Sequence, residues 1–373
     1  MADVSPPALC SKSVLIVHSA FPGDIVLCTP LLRAVKKSMP QARVAFLATP
    51  ASANLLETNP HLDQLIVYDK RGSEKGLGSL LRLIRQLRQQ HFQLALLPHR
   101  SLRSALLAWA AGIRVRIGFS QASGAFLYTH RVPYRRTCHE VERNLALLEA
   151  AGGRADGLQP EVFPNGSDRA RVDELLKEAD AKGPLLGLAP GSIWPTKRWT
   201  PGGFAEVGTM AMRTLSATVV VIGGPEDRAL IARVCAAMGH KAIDAAGRLT
   251  LRQSAELIRR CWVLVSNDSA PLHLGVAMGT HVVAIFGPTV REFGFAPLGE
   301  GHVVVERALP CRPCGIHGGR SCPIGTHECM TGISATEVFQ AVQKLWPTAI
   351  SGDRLPERVN FLGGSDADSE ARP

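Results

Sequence analysis

The sequence predicts an α/β protein of two domains, each built on a parallel sheet, facing one another across a cleft. Three observations carry this expectation. The chain has 373 residues, and at roughly 100–200 residues per domain that is room for two. Short β-branched runs alternate with helical periodicity from Ser13 to Phe286, the rhythm of βαβ units in an open sheet. That rhythm lapses across residues 153–183, where Gly, Pro, Asn and Asp gather, and then restarts. The linker is placed there. The division expected is an N-terminal domain over 1–165, a C-terminal domain over 166–347 and a disordered tail over 348–373.

Each element has its own signal. Ser13–Val17 is a short apolar strand, closed by Gly23-Asp24. Ile25, Leu27, Leu31, Leu32 and Val35 repeat as a helix that runs to Met39 before Pro40. Arg43–Ala48, Leu65–Tyr68 and Leu94–Leu97 read as strands. Leu77, Leu80, Leu81, Ile84 and Leu87 form a helical stripe expected to pack on the sheet, with Arg82, Arg85 and Arg88 facing outward. Leu102–Ala111 and Glu140–Ala151 are helical, the second stopped by Gly152-Gly153. In the second half the strands are Leu185–Ala189, Ala217–Ile222, Trp262–Val265 and Val282–Phe286. The helices are Phe204–Leu215, Asp227–Met238, Leu251–Arg260 and Leu272–Met278. The tail mixes Gly, Asp, Ser, Glu and Pro and cannot bury enough apolar surface to order itself.

Composition narrows the function. No stretch approaches a membrane-spanning length of apolar residues, and the N-terminus lacks the charged and apolar regions of a secretory signal. The nine cysteines are expected as reduced thiols in a cytosolic protein. The formal charge of +10 is concentrated: residues 70–136 hold thirteen Lys and Arg and one acid, Glu74. Such a field attracts phosphates, nucleic acid or an anionic membrane. With 5% aromatic residues, a base-stacking platform is disfavoured.

Three strand-to-helix loops of the second half suit a nucleotide diphosphate. Ala189-Pro190-Gly191-Ser192 frees backbone N–H groups, and Lys197 and Arg198 follow. Gly223-Gly224-Pro225-Glu226-Asp227 offers a carboxylate for a ribose or a helix cap. Ser266-Asn267-Asp268-Ser269-Ala270 opens a helix whose positive end faces an anion. Asp268 or Ser269 can equally be an N-cap. Neither a P-loop nor a G-x-G-x-x-G fingerprint is present, against a kinase-like NTPase or a dinucleotide oxidoreductase. In the first half, Asp24 directly follows the first strand. It is either a general base at the mouth of the cleft or the cap of the next helix.

The stretches VLIVHSAFPGDIVLCTPLLRAVKKSMP, APGSIWPTKRW, VVVIGGPED, AGRLTLRQSAELI and VSNDSAPLHLGVAMGTHVVAIFGPT resemble glycosyltransferase family 9, the ADP-heptose:lipopolysaccharide heptosyltransferases, and most of all its heptosyltransferase II branch. The resemblance runs over roughly residues 13–345. It implies a GT-B fold of two Rossmann-like domains and inverting transfer of heptose from ADP-heptose to the inner core of lipopolysaccharide, with no catalytic metal. It implies Asp24 as base and Lys197 at the donor phosphates. Donor contacts would come from Gly191, Ser192, Lys197, Gly224, Glu226, Leu249, Asp268, Ser269, Ala270 and His273. Gly23, Arg100 and Arg103 would meet the acceptor. Ala270 departs from the glycine expected there, and Ile193-Trp194 replace smaller residues. The partners implied are ADP-heptose, a phosphorylated lipid A-core acceptor and an anionic membrane surface, with no nucleic acid. The implied location is cytoplasmic, peripheral on the inner face of the inner membrane.

A metal-dependent transferase would show an Asp-x-Asp pair. The only such pair, Asp366-Ala367-Asp368, sits in the tail and reads as chance. Cys311, Cys314, Cys322 and Cys329, with His317 and His327 between them, have spacing open to a structural zinc site, reduced thiols or a disulfide. His139 reads as a cap or packing residue. Two other functions compete: a same-fold transferase using another nucleotide-sugar, and a non-catalytic nucleotide- or polyanion-binding protein. An acid at the cleft separates catalysis from mere binding.

Overall fold

A computed structural model describes residues 11–70 and 72–347. The expected tail, with Asp366 and Asp368, lies outside the described residues, as does Arg71. From the N-terminus run β1 (Ser13–Val17), α1 (Pro22–Val26), α2 (Thr29–Ser38), β2 (Arg43–Ala48), α3 (Pro50–Ala53), β3 (Gln64–Val67) and α4 (Leu77–Gln89). Next come β4 (Leu94–Leu97), α5 (Leu102–Ala110), β5 (Val115–Phe119), β6 (His130–Val132) and α6 (Glu140–Glu149). The second half is α7 (Gly166–Glu178), β7 (Leu185–Ala189), α8 (Pro201–Thr214), β8 (Thr218–Val221), α9 (Arg228–Ala237), β9 (Ile243–Asp244) and α10 (Leu251–Arg260). It closes with β10 (Cys261–Asn267), α11 (Ala270–Ala277), β11 (His281–Phe286), β12 (His302–Glu306), α12 (Glu328–Thr331) and α13 (Ala335–Leu345).

Two six-stranded sheets result, in the orders β3-β2-β1-β4-β5-β6 and β12-β11-β10-β7-β8-β9. Counted from the first strand of each half, both are the same doubly wound order, although the sequence shows no repeat. Every pairing is parallel. Parallel sheets are covered on both faces, which is why the central strands β1, β4, β7 and β11 read as apolar runs. Leu31, Phe46 and Leu145 fill one face of the first sheet, and Leu15, Leu87 and Leu107 the other. The second sheet is packed by Phe204, Val219 and Phe339 on one side and Leu257, Leu264 and Leu274 on the other.

The structure revises the expected elements at three points. The single helix from Ile25 to Met39 is two, α1 and α2. Pro30 has no N–H for the carbonyl of Val26, and the Thr29 hydroxyl donates to that oxygen instead (2.8 Å). The stretch read as linker contains α7. Asn165 and Asp168 cap it reciprocally, backbone to side chain, at 2.9 and 3.0 Å. Its buried apolar residues are only Val172 and Leu175, too few to show a period. On α4, Leu83 and Leu87 do the packing, with Leu80 and Ile84 half-buried. Leu77 and Leu81, expected in that stripe, are exposed.

Candidate active site

In a doubly wound sheet, adjacent strands whose following loops diverge leave a crevice at their carboxyl ends. In the second sheet that point lies between β7 and β10. The loop after β7 brings Gly191, Ser192 and Lys197; the loop after β10 brings Asp268 and Ser269 and opens α11. Asn267 ties the two, its amide donating to the Pro190 carbonyl (2.8 Å) while its oxygen accepts from the Trp199 N–H (3.0 Å). The loop after β1 closes the crevice from the other domain with Phe21–Asp24. Between them is a cavity of about 480 Å³, within the usual size of a small-ligand site.

Gly23 lets the two halves touch. A Cβ there would stand 2.9 Å from His273 Cδ2 and 3.5 Å from the Ala270 Cα. Gly191 has a similar reason: its Cβ would fall 2.3 Å from Asp227 Oδ2. Gly23→Ala is expected to destabilise by about 1–3 kcal/mol through overpacking and to cut turnover at least about tenfold by pushing α1 off α11. Thermal melting and steady-state assays check both, and an unchanged melt with unchanged turnover would show that the contact yields.

Asp24 occupies the third position of α1, where its carboxylate accepts from the Phe21 N–H (3.3 Å). It is therefore a helix-terminal acceptor as well as a cavity wall. Burial pushes its pKa up to about 7, helped by the charge of Glu140 and opposed by the Phe21 bond and Lys197. Glu140 is fixed in turn by the Tyr134 hydroxyl (2.8 Å) and the Arg143 guanidinium (2.7 Å). Opposite, Lys197 Nζ lies 2.6 Å from Asp268 Oδ2, which also accepts from the Thr289 hydroxyl (2.7 Å). Both charged groups are buried. Lys197 is thus a paired cation, where the sequence suggests a simple point charge. Burial holds His273 neutral, its pKa down to about 4.

All ten residues expected at the donor line this one cavity, together with Asp24 and Gly23. Arg100 and Arg103 are not among its lining residues. Arg100 stacks over the Tyr134 ring at 4.1 Å, and Arg103 lies exposed on α5. Arg198 and Asp227, from two of the loops read as suited to a nucleotide diphosphate, also line the cavity, as do Phe295 and His317, which the sequence reading did not place there. Phe295 and His317 come from irregular loops whose folding back no local pattern announces. His139 is a cap: Nδ1 accepts from the Val141 N–H (3.2 Å), and Nε2 donates across the domains to the Ala296 carbonyl (3.0 Å).

The zinc expectation for Cys311, Cys314, Cys322 and Cys329 is not supported. Among the described residues, no group of three or more His, Cys, Asp or Glu could hold a metal ion. The sulfurs turn to separate partners: Cys314 to the Cys311 carbonyl (3.5 Å), Cys322 to the His327 N–H (3.4 Å). Cys311 and Cys314 are exposed while Cys329 is buried, and all four are free thiols. His327 instead bonds the Thr196 carbonyl (2.7 Å), docking the cysteine loop on the turn that carries Lys197.

The family model of glycosyltransferase family 9 (heptosyltransferase) matches residues 80–320. The chain belongs to that family. This glycosyltransferase is 27% identical over 297 residues to lipopolysaccharide heptosyltransferase 2 of Salmonella typhimurium, covering 75% of the chain and 84% of that protein. It is 24% identical over 317 residues to lipooligosaccharide heptosyltransferase 2 of Haemophilus influenzae, covering 79% and 88%. Its fold matches a family 9 glycosyltransferase from Veillonella parvula at a TM-score of 0.79 and 26% identity, covering 90% of this chain and 97% of the other. Two Rossmann-like parallel sheets facing one cavity make it a GT-B enzyme.

Proposed function

We propose that this glycosyltransferase moves heptose from ADP-heptose to a heptose-accepting position in the inner core of lipopolysaccharide, as a heptosyltransferase II, with inversion at the anomeric carbon. The observation that carries the reading is the opposition, across one cavity, of the buried Asp24 carboxyl group and the Lys197 cation held by Asp268 just before α11. Asp24 takes the proton of the acceptor hydroxyl as that oxygen bonds the anomeric carbon. The bond from that carbon to the ADP oxygen breaks on the opposite face, so a single displacement inverts the centre. Lys197 and the N–H groups opening α11 stabilise the charge gathering on the leaving diphosphate. Gly191, Ser192, Gly224, Glu226, Leu249, Ser269, Ala270 and His273 hold the rest of the donor.

The acceptor is assigned to the N-terminal domain, residues 1–165, and the donor to 166–347. Arg100, stacked on Tyr134 beside Glu140, belongs to the acceptor side. A phosphorylated lipid A-core acceptor places the enzyme on the cytoplasmic face of the inner membrane, in keeping with the cationic stretch 70–136. The association proposed is peripheral; no described helix is long and apolar enough to cross a membrane.

A thermal-shift panel of ADP, UDP, GDP and CMP in EDTA-containing buffer tests the donor. ADP at about 100 times its dissociation constant should add about 2.7 kcal/mol of stability. A larger shift with UDP would reassign the donor. Heptose transfer to a core acceptor from a strain lacking the inner-core heptose, followed by anomeric analysis of the product, tests the reaction and its stereochemistry.

A further inference from the structure

The outward face of α5 is apolar. Leu102, Leu106 and Trp109 recur at spacings of four and three, one stripe along the helix, and are 41%, 38% and 54% exposed. The opposite face, with Ser104, Ala105, Leu107 and Ala108, is already buried on the sheet. The stripe is therefore not the core side misplaced; α5 is apolar on both sides. Next to it on α4, Leu77 and Leu81 are 78% and 55% exposed. The Arg88 guanidinium donates to the Ala110 carbonyl (2.7 Å) and fastens the two helices together. Phe126, 68% exposed, sits on a 3-10 turn at Ala125–Leu127. That turn abuts α5, since a Cβ on Gly124 would meet Ala105 Cβ at 2.4 Å and the Leu102 Cα at 3.3 Å.

Six large apolar side chains on three adjoining elements thus share one surface, with Arg82, Arg85 and Arg103 exposed among them. Contiguous exposed apolar surface marks an interaction site. The charge selects the occupant. A second copy of this chain would bring the same cationic field against itself. Nucleic acid would want stacking rings, and most of these side chains are aliphatic. An anionic bilayer suits both components: leucines and aromatic rings enter the boundary of headgroups and acyl chains, and arginines meet lipid phosphates. The direction is also right. Helices α4 and α5 start from the carboxyl ends of β3 and β4, the edge of the sheet from which β1 delivers Asp24. Leu77, Leu102 and Phe126 therefore stand toward the cleft rim.

We infer that the α4–α5 face inserts into an anionic bilayer, Leu77, Leu81, Leu102, Leu106, Trp109 and Phe126 entering the interface while the arginines bind phosphates. This deepens the peripheral association proposed above and rests, for its purpose, on a lipid-linked acceptor. Insertion differs from electrostatic adsorption in surviving salt. Vesicles of phosphatidylethanolamine with phosphatidylglycerol are used in flotation at about 0.1 M and about 0.5 M NaCl, where the Debye length falls from about 10 Å to about 4 Å. Wild type should float at both. Leu77→Ser, Trp109→Ser and Phe126→Ser combined should lose binding at the higher salt by about tenfold or more, with melting unchanged because all three positions are exposed. Arg82→Gln, Arg85→Gln and Arg103→Gln combined should weaken binding at the lower salt and leave it at the wild-type level at the higher.

A serine variant that floats like wild type at high salt, or a wild type that floats at neither, overturns insertion. A concentration-dependent dimer of the wild type, abolished in the serine variant, overturns it in favour of self-association. Turnover on a deacylated, water-soluble core acceptor should be equal in wild type and serine variant. Absence of that turnover in the wild type would sink the transfer reading and leave the flotation result standing.

Discussion

Asp24→Asn is expected to fold normally and to lose about 10²–10⁴-fold in kcat, the usual worth of a positioned general base. Wild-type turnover should rise with pH through about 7, where the buried carboxyl ionises, and level off above. The asparagine variant should lack that limb. Stability gives an independent readout. A carboxyl whose folded pKa is raised binds its proton more tightly folded than unfolded. Its contribution is fully present below about pH 3.8 and is lost as pH rises through about 7. Asparagine carries no such penalty and keeps an oxygen for the Phe21 N–H. The variant should therefore melt no lower than wild type at pH 8. If Asp24 is only a helix cap, turnover at saturating donor and acceptor stays at the wild-type level.

The alternation of strand and helix was legible because parallel strands are buried on both faces and read as unbroken apolar runs, as β1 and β11 do. Strands β5, β6, β9 and β12 escaped: β5 is interrupted by Arg116 and Gly118, β12 is a half-buried edge whose three valines sit between His302 and Glu306, and β6 and β9 carry too few residues for an apolar signal. Helix α7 escaped for the same reason. The loops that line the cavity were legible because glycine, serine and a following charge cluster locally, directly after a strand. The site's long-range parts were not. The pairing of Lys197 with Asp268 joins residues 71 apart in the chain, and no local pattern specifies it. His317 and Phe295 reach the cavity through loops held by Thr196 and by His139. Arg100 and Arg103 were placed by nearness to a strand end. A strand end fixes where a backbone emerges, but packing against Tyr134 decides where Arg100 goes.

On α4 the apolar residues span more than one face, and periodicity alone cannot say which subset meets the sheet. Leu83 and Leu87 share the buried row with Ser79 and pack in one cluster with Ile66, Ala95 and Ala108. In the proposed bilayer-bound state, the exposed Leu77 and Leu81 are the part of α4 that meets lipid.

Lys197→Ala is expected to damage both the fold and the chemistry, and a second substitution should separate the two. Lys197 Nζ and Asp268 Oδ2 lie 2.6 Å apart in a buried setting. Removing one partner of such a pair costs about 3–5 kcal/mol, because the other charge is left uncompensated. Asp268 would keep only the Thr289 hydroxyl. The melting temperature should fall, and the orphaned carboxylate would repel an incoming diphosphate at the start of α11. Loss of a charge-assisted bond of about 1.5–3 kcal/mol corresponds to about 10–100-fold weaker ADP binding, read by calorimetry. Adding Asp268→Asn removes the stranded charge while the amide oxygen can still accept from Thr289. The double variant should recover most of the lost stability. It should not recover kcat, because no cation then meets the charge on the departing diphosphate. Recovery of turnover together with stability would make Lys197 a structural counter-ion for Asp268 and hand leaving-group stabilisation to the α11 N–H groups alone.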